Sequence, residues 1–374
     1  MAYSAAISHH RAPSTTMKSF SGFELLFLGT SAGSPSVRRN PTGVCLRLAR
    51  SNWMFDCAEG SLRQMMKSTV RVPLTTKFFI SHLHGDHLYG LPGILCTLDN
   101  HNAEYKDPAT KENAARHIDV YGPLGLFSYL NTAFSTSTTS LTNLQITVHE
   151  LVNSDILSET TEHEKFMRNA PKHPSLTREW IHAQSDGNGD VWKVVDDGKF
   201  TVQAATLKHT VISFGFVVEE YPIPGKLDIE ALQERGLPPG PKYRALKLGE
   251  SVELPSGEII QASEVTGPKA LGRKVAILGD SADSSRMFDI AQNCDLRILV
   301  HEATLSHGMT KQAVHRGHST ARMAGHRFRH WSVDVGNCRT TLHLALEAQE
   351  SFGKRAVVPA SDFLRIPVPR PPHE

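Results

Sequence analysis

The sequence predicts an α/β protein whose strands are mostly buried, and three observations carry that prediction. From residue 23 onward, short apolar β-rich runs alternate with stretches of helical periodicity. Gly, Pro and Asn punctuate the junctions between them. Several of the runs are apolar without alternation, as strands covered on both faces are. At 374 residues the chain can bury a large core, in one large domain or two ordinary ones.

Residues 23–28, 44–48 and 52–55 read as strands, separated by Gly29-Thr30, Pro35 and Asn40-Pro41. A helix is expected over 61–67, a strand over 77–81 and a helix near 88–98. Further strands are expected at 118–121, 144–150, 200–207, 214–218, 274–278 and 296–301, with helices at 124–133, 285–292 and 319–328. Two stretches break this rhythm. Residues 154–190 are polar and aperiodic, which predicts a surface insertion. Residues 221–258 combine Pro222, Pro224, Gly225, Gly236, Pro238, Pro239, Gly240 and Pro241 with Lys226, Arg235, Lys242, Arg244 and Lys247. A basic Pro/Gly-rich excursion between two strands predicts an arm projecting from the core.

The composition, 40% hydrophobic and 21% charged, is that of a globular chain and excludes a disordered or fibrous one. Forty Lys and Arg against 38 Asp and Glu leave +2, so any nucleic-acid partner must be held by a local basic patch. The five cysteines (Cys45, Cys57, Cys96, Cys294, Cys338) are scattered without a C-x-x-C pair. They offer neither a disulfide framework nor a thiolate zinc site, and a reducing compartment is expected. No apolar run approaches the roughly 20 residues that span a bilayer, so no membrane partner is expected. Residues 1–22 contain no acid and carry Arg11 and Lys18. That outline fits a disordered tail or a transit peptide, and so the cytoplasm or nucleus in one case, a mitochondrion or plastid in the other.

Histidine is over-used, with 20 residues, and the decisive cluster is Ser81-His82-Leu83-His84-Gly85-Asp86-His87, directly after the apolar run Phe78-Phe79-Ile80. In extended chain, residues two apart share a face, so His82 and His84 can address one metal ion. Gly85 permits a turn that brings Asp86 and His87 to a second ion. Imidazoles with carboxylates and no thiolate suit Zn²⁺ before Mn²⁺ or Fe²⁺. Two later runs end in the same way, 200–207 in Lys208-His209 and 274–278 in Gly279-Asp280. The two oxygens of Asp280 suit it to bridging two ions. Downstream, His301-Glu302-Ala303-Thr304 ends a strand and His318-Ser319-Thr320 opens a helix, with Ser319 or Thr320 as the candidate N-cap. Glu302 and His318 form a carboxylate–imidazole pair suited to orienting a proton donor.

H-L-H-G-D-H is the signature of the metallo-β-lactamase fold. With FLGTSAGSPSVRRNPTGVCLRL, WMFDCAEGSLRQMMKS, SFGFVVEE, PGKLDIEALQERGLPPGPKY, ILGDSADS, LVHEATL and HSTARMAG, the chain resembles ribonuclease Z, the zinc phosphodiesterase that removes 3′ trailers from precursor tRNA. The likeness runs over about residues 23–325 and resumes weakly at 356–371. It implies an αβ/βα four-layer sandwich over residues 23–374, a dinuclear zinc site at one edge, and a homodimer. It implies that His82, His84, His209 and Asp280 hold the first zinc. Asp86, His87, the shared Asp280 and one more histidine would hold the second. Asp86 would also accept the proton, while Glu302 and His318 assist the leaving oxygen. The arm, with Lys226, Arg235, Lys242 and Arg244, would be the exosite that grips precursor tRNA. Two zinc ions lower the pKa of a water towards about 7, giving a nucleophile at neutral pH. The products expected are a tRNA 3′-OH and a 5′-phosphorylated trailer.

The family carries its last zinc ligand in a strand ending His-Phe/Ile-Ser-x-Arg-Tyr. Here residues 325–341 read GHRFRHWSVDVGNCRTT, with no buried-strand run and no Arg-Tyr pair, and similarity returns at Pro359-Ala360-Ser361-Asp362-Phe363-Leu364. Three readings follow. A segment is missing from the coding sequence, which the returning similarity favours; or His330, His326 or His343 serves as ligand, with His330 the nearest likeness; or the second metal is lost. The alternatives to the tRNA-trailer endonuclease are a phosphodiesterase acting on other RNA or small diesters, and a catalytically impaired tRNA-binding protein.

Overall fold

The computed structural model describes residues 20, 22–102, 115–158, 171–254, 256–291, 298–327, 333–335, 341–352 and 357–370. Two sheets form its centre. The first is built from β1 (Phe23–Gly29), β2 (Gly43–Leu48), β3 (Asn52–Phe55), β4 (Thr75–Phe79), β5 (Arg116–Pro123), β6 (Leu144–Val152) and β7 (Leu176–His182). The second contains β8 (Gln184–Ser185), β9 (Asp190–Asp196), β10 (Phe200–Leu207) and β11 (Ser213–Glu220). After an arm carrying the hairpin β12 (Val252–Glu253) and β13 (Ile259–Ile260), the second sheet continues with β14 (Lys274–Leu278), β15 (Ile298–His301) and β16 (Val333–Val335). β17 (Arg365–Pro367) returns to the first sheet beside β1. The orders are β17-β1-β2-β3-β4-β5-β6-β7 and β16-β15-β14-β11-β10-β9-β8.

The alternation of side chains in β1 explains the layering. Phe23, Leu25 and Phe27 point between the sheets, where they meet Trp53, Phe55, Phe79, Trp192, Phe214 and Phe216. Leu26 and Leu28 point the other way, under α1 (Ser61–Lys67), α3 (Leu91–His101) and α4 (Leu126–Thr136). The outer face of the second sheet packs Ala205, Val217, Ala276 and Leu299 against Met287, Ala321, Ala324 and Ala348 from the helices Ser285–Ala291, Ala321–Arg327 and Thr341–Phe352. Helices therefore cover both outer faces, giving an αβ/βα sandwich. Strands buried along their whole length, such as β1, β3 and β14, are accordingly mostly apolar in sequence.

The first sheet runs further along the chain than the sequence suggests. The stretch expected to be a surface insertion contributes β7, an edge strand paired in parallel with β6. Its Thr177, Glu179, Trp180 and His182 are exposed, which is why no apolar run marks it. The arm closes at Ala270, which bridges back to Ile223, rather than at residue 258. It carries its own small core of Leu232, Leu237, Leu246, Val252, Leu254, Ile260 and Val265. In the region expected to lack a strand, β16 pairs in parallel with β15, Leu299 opposite Val333 and His301 opposite Val335. Residues 1–19, 292–297, 328–332 and 336–340 lie outside the described ones, and with them the amino-terminal tail. Among the described residues no helix is long and apolar enough to cross a membrane, and Cys45, Cys57 and Cys96 are free thiols.

Candidate metal centre and active site

All the chemically competent strand ends meet at one edge of the sandwich. Phe78, Phe79 and Ile80 are fully buried, and Ile80 N–H donates to Tyr121 O (2.8 Å), which holds the end of β4 in place. Phe214 N–H donates to Ser81 O (2.9 Å), so the first sheet is stitched to the second immediately before His82. Gly279 sits in this seam; a Cβ there would lie 2.5 Å from Ser81 Cβ and 2.9 Å from Ser213 Oγ. Only glycine lets Asp280 approach the histidine cluster so closely. His84 then caps α2 (Gly85–Leu88), which carries Asp86 and His87.

Three groups of side chains converge, each with its ligand atoms within 4.8 Å of one another: His82, His84 and His209; His82, His87 and Asp280; and Asp280, Glu302 and His318. His84 Nδ1 lies 3.3 Å from His209 Nε2. That is about the edge of a tetrahedron of nitrogens around zinc at roughly 2.0–2.1 Å. His87 Nε2 lies 3.4 Å from Asp280 Oδ2 and 3.7 Å from Asp86 Oδ2. Buried Nε2 atoms of His82 and His87 have no hydrogen-bond partner. Buried polar nitrogens are normally paired, and these two face the cluster, so the donor set fits zinc.

The surrounding hydrogen bonds set the tautomers that metal binding requires. His87 Nδ1 is 2.6 Å from Asp56 Oδ2, and His82 Nδ1 is 2.9 Å from Ser81 Oγ, itself donating to Asp56 Oδ2 (2.8 Å). With both Nδ1 atoms protonated, both Nε2 lone pairs face inward. His209 Nδ1 donates to Gly317 O (2.7 Å), with the same result. Gly317 has φ +74°, and a Cβ there would stand 2.6 Å from His209 Nδ1. Asp56, at φ 56°, adopts the left-handed region rare for residues other than glycine.

Charge at the site is strongly organised. Burial, reinforced by the neighbouring histidines, pushes the His82 imidazole down to about 2, so it is neutral and able to ligate. Burial opposes the charged form of His87, but Asp280 and Asp56 outweigh it and raise its pKa well above the usual range. The same concentration of carboxylate attracts a divalent cation. Asp280 is held ionised despite burial by His87, His82 and His318. Glu302 accepts from Ser281 N–H (2.6 Å) and Thr304 Oγ1 (2.5 Å), and its oxygens lie 3.1 and 3.2 Å from His318 Nδ1. Burial lowers the His318 pKa less than Glu302 and Asp280 raise it, and the net direction is upward.

The sequence-predicted residues His82, His84, Asp86, His87, His209, Asp280, Glu302 and His318 are thus gathered at one edge. His330 lies outside the described residues, as do the side chains of His326 and His343. His301 is buried, 2.9 Å from Ser284 Oγ through Nε2, and burial pulls it down to about 4. It is a neutral structural histidine. Asp56 was missed by sequence reasoning; its position at the end of β3, the same place as the other cluster residues, was the available signal. Of the four arm cations, Arg235 is paired with Glu264 (2.7 Å), and Lys242 reaches Glu253 O (2.5 Å), while Lys226 and Arg244 are exposed.

A two-sheet αβ/βα sandwich with histidines and aspartates collected at its edge defines a metal-dependent hydrolase of the metallo-β-lactamase fold. The YhfI protein of Bacillus subtilis, solved as a metallo-β-lactamase fold protein, superposes with a TM-score of 0.50 over 92% of this chain and 98% of its own, at 12% identity. The human short-form tRNase Z crystal structure aligns at TM-score 0.61 and 27% identity, covering 92% of this chain and 99% of that one. Zinc phosphodiesterase ELAC protein 1 of Bos taurus is 37% identical over 302 residues, 80% of this chain and 81% of its own. Ribonuclease Z of Bacillus subtilis (strain 168) is 33% identical over 359 residues, 93% and 99% of the two chains. No family model matches the sequence. The chain belongs to the ribonuclease Z family.

Proposed function

We propose that the protein is a zinc-dependent endoribonuclease that removes the 3′ trailer of precursor tRNA, leaving a tRNA 3′-OH and a 5′-phosphorylated trailer. The convergence of His82, His84, His87, His209 and Asp280 beside the Glu302–His318 pair carries this reading in a chain of this family. His82, His84, His209 and Asp280 would hold a first zinc ion. Asp86, His87 and the shared Asp280 would hold a second, giving two per subunit. When bound, zinc makes water nucleophilic near neutral pH and offsets negative charge at the phosphorus. Asp86, 15% exposed and fixed by the Gly33 N–H at 2.7 Å, accepts the proton of the attacking water. As the P–O3′ bond breaks, His318 passes a proton to the leaving oxygen. Glu302 grips its Nδ1 and leaves the other ring nitrogen to donate.

The arm holds the substrate away from the cut, through its shape and its phosphates. Its charge is segregated: Asp228, Glu230 and Glu234 lie on or beside the helix Ile229–Glu234, and Lys242, Arg244 and Lys247 on the helix Pro241–Lys247. The second helix, with Lys226, is therefore the phosphate-facing part, and Arg235 is engaged by Glu264 and Glu258. The family resemblance supports a homodimer; Met66 on α1 and Tyr89 between α2 and α3 are 72% and 65% exposed and available to bury.

The test is incubation of purified protein with a trailer-bearing precursor tRNA, with and without a chelator. Cleavage abolished by chelation and restored by zinc is expected, and Asp86→Ala should lose cleavage while still binding tRNA. Cleavage that survives chelation removes the metal from the mechanism. Hydrolysis of small diesters alone assigns a different substrate.

A further inference from the structure

The carboxy-terminal motif Pro359-Ala360-Ser361-Asp362-Phe363-Leu364 has no part in the chemistry above, yet it is tied to it. Its turn is sharp: Phe363 sits at φ 68°, and its N–H donates to Phe27 O (2.7 Å), while Leu364 O accepts from Phe27 N–H (3.0 Å). That turn presents the Asp362 carboxylate to the neck of the loop between β1 and β2. Asp362 Oδ1 accepts from Thr30 Oγ1 (2.7 Å), and Oδ2 accepts from Asn40 N–H (2.7 Å) and from Gln64 Nε2 of α1 (2.9 Å). Thr30 N–H and Ser31 N–H both donate to Asn40 O (2.9 Å), closing the neck. Arg39 clasps it to the motif through Ala360 O (2.9 Å) and Thr30 Oγ1 (2.7 Å). The far end of the same loop supplies the Gly33 N–H that holds Asp86 Oδ2 at 2.7 Å.

We propose that Asp362 is a positioning residue that, through the loop 30–40, fixes the orientation of the Asp86 carboxylate in the metal centre. The inference rests on the reading of Asp86 as a zinc ligand and proton acceptor. A carboxylate presenting two oxygens is the group that three converging donors require. An amide of the same size keeps one acceptor and turns an NH₂ against at least one of those donors, leaving buried donors unpaired. The loop then loses its fixed neck, and the Gly33 N–H its aim. Outer hydrogen-bond partners of metal ligands act in this way, their loss lowering metal affinity or activity about 10–100-fold.

The experiment uses the full-length zinc-loaded protein, with zinc retention measured by competition with a chromophoric chelator, kcat and KM on precursor tRNA, and the melting temperature. Asp362→Asn is expected to weaken zinc retention and lower kcat by about tenfold or more, with KM changing by less than about threefold, because the arm is untouched. Thr30→Val removes one of the three donors in an equal volume. It is expected to move zinc retention and kcat in the same direction by less, and it carries the test if Asp362→Asn does not fold. Asp86→Ala is run beside them. Should it weaken zinc retention while both other variants leave zinc retention and kcat untouched, Asp362 is only scaffold and the proposal is overturned. Should Asp86→Ala itself leave zinc retention and kcat unchanged, the reading of Asp86 has failed, and the proposal falls with it.

Discussion

At the scale of single residues, the proposed role of the Glu302–His318 pair predicts the pH behaviour of the reaction. Burial disfavours the His318 imidazolium, but the Glu302 carboxylate 3.1 Å away favours it more, so its pKa lies above the ordinary 6.5. The donor is present below that raised value and is lost as pH rises through it. Glu302→Gln removes the largest of the charges that raise it and leaves the burial, so the pKa falls, although Asp280 and Asp86 still favour the imidazolium. The alkaline limb of the kcat profile on precursor tRNA is expected to move to lower pH, and a limb that stays where it was contradicts the assignment. A second residue prediction concerns Gly317. A Cβ at 2.6 Å from His209 Nδ1 cannot be accommodated without moving the ring, and φ +74° adds strain. Gly317→Ala should weaken zinc retention and cut activity about tenfold or more, as loss of a partner that orients a ligand does.

The same scale separates what the sequence makes legible from what it does not. His82, His84, His209 and Asp280 are readable because a metal-competent side chain directly follows an apolar run, and such positions share one edge of a sandwich. Gly317, Gly279 and Asp362 act through chains that meet them from far away, Asp362 from 332 positions beyond Thr30. No local pattern marks that kind of role.

At the scale of elements, legibility follows burial. β1, β3 and β14 coincide with apolar runs because both of their faces are covered. β7 was hidden because it is an edge strand with four exposed side chains, and β16 because it is three residues long. β9 is hard to read because Lys193 splits its apolar residues and aspartates stand at both ends. The arm was legible as an excursion but not in its internal division of charge. That division yields a prediction. Replacing Arg244 and Lys247 together by Ala should raise KM for precursor tRNA several-fold, with kcat nearly kept. The slope of log affinity against log salt should fall by roughly one for each phosphate that is no longer neutralised. Arg235→Ala should have the smaller effect on KM, since its guanidinium is already occupied by Glu264 at 2.7 Å. Equal effects from both changes would place the phosphate-binding groups elsewhere on the arm.

At the scale of the whole molecule, the metal centre is a joint between the two sheets. His82, His84, Asp86 and His87 follow β4 of the first sheet, whereas His209 follows β10 and Asp280 follows β14 of the second. Apart from the apolar core, direct ties across this edge include the Phe214 N–H to Ser81 O bond and the ion pair of His87 with Asp280. On the proposed ligation, a zinc ion taken up by both sets of donors would cross-link the two sheets at this edge, joining the ionised Asp280 to the neutral His82, whose buried Nε2 has no hydrogen-bond partner. Zinc binding to the folded chain should then stabilise it by mass action, about 4 kcal/mol at a free concentration a thousand times the dissociation constant. For a chain longer than 250 residues each kcal/mol moves the melting temperature by no more than about 2–4 °C, so an increase of several degrees over chelated protein is expected. Raising free zinc should raise it further, and Asp280→Ala, which removes the shared donor, should abolish most of the increase. A melting temperature indifferent to chelation and to added zinc would mean that the two sheets do not share an ion at this edge.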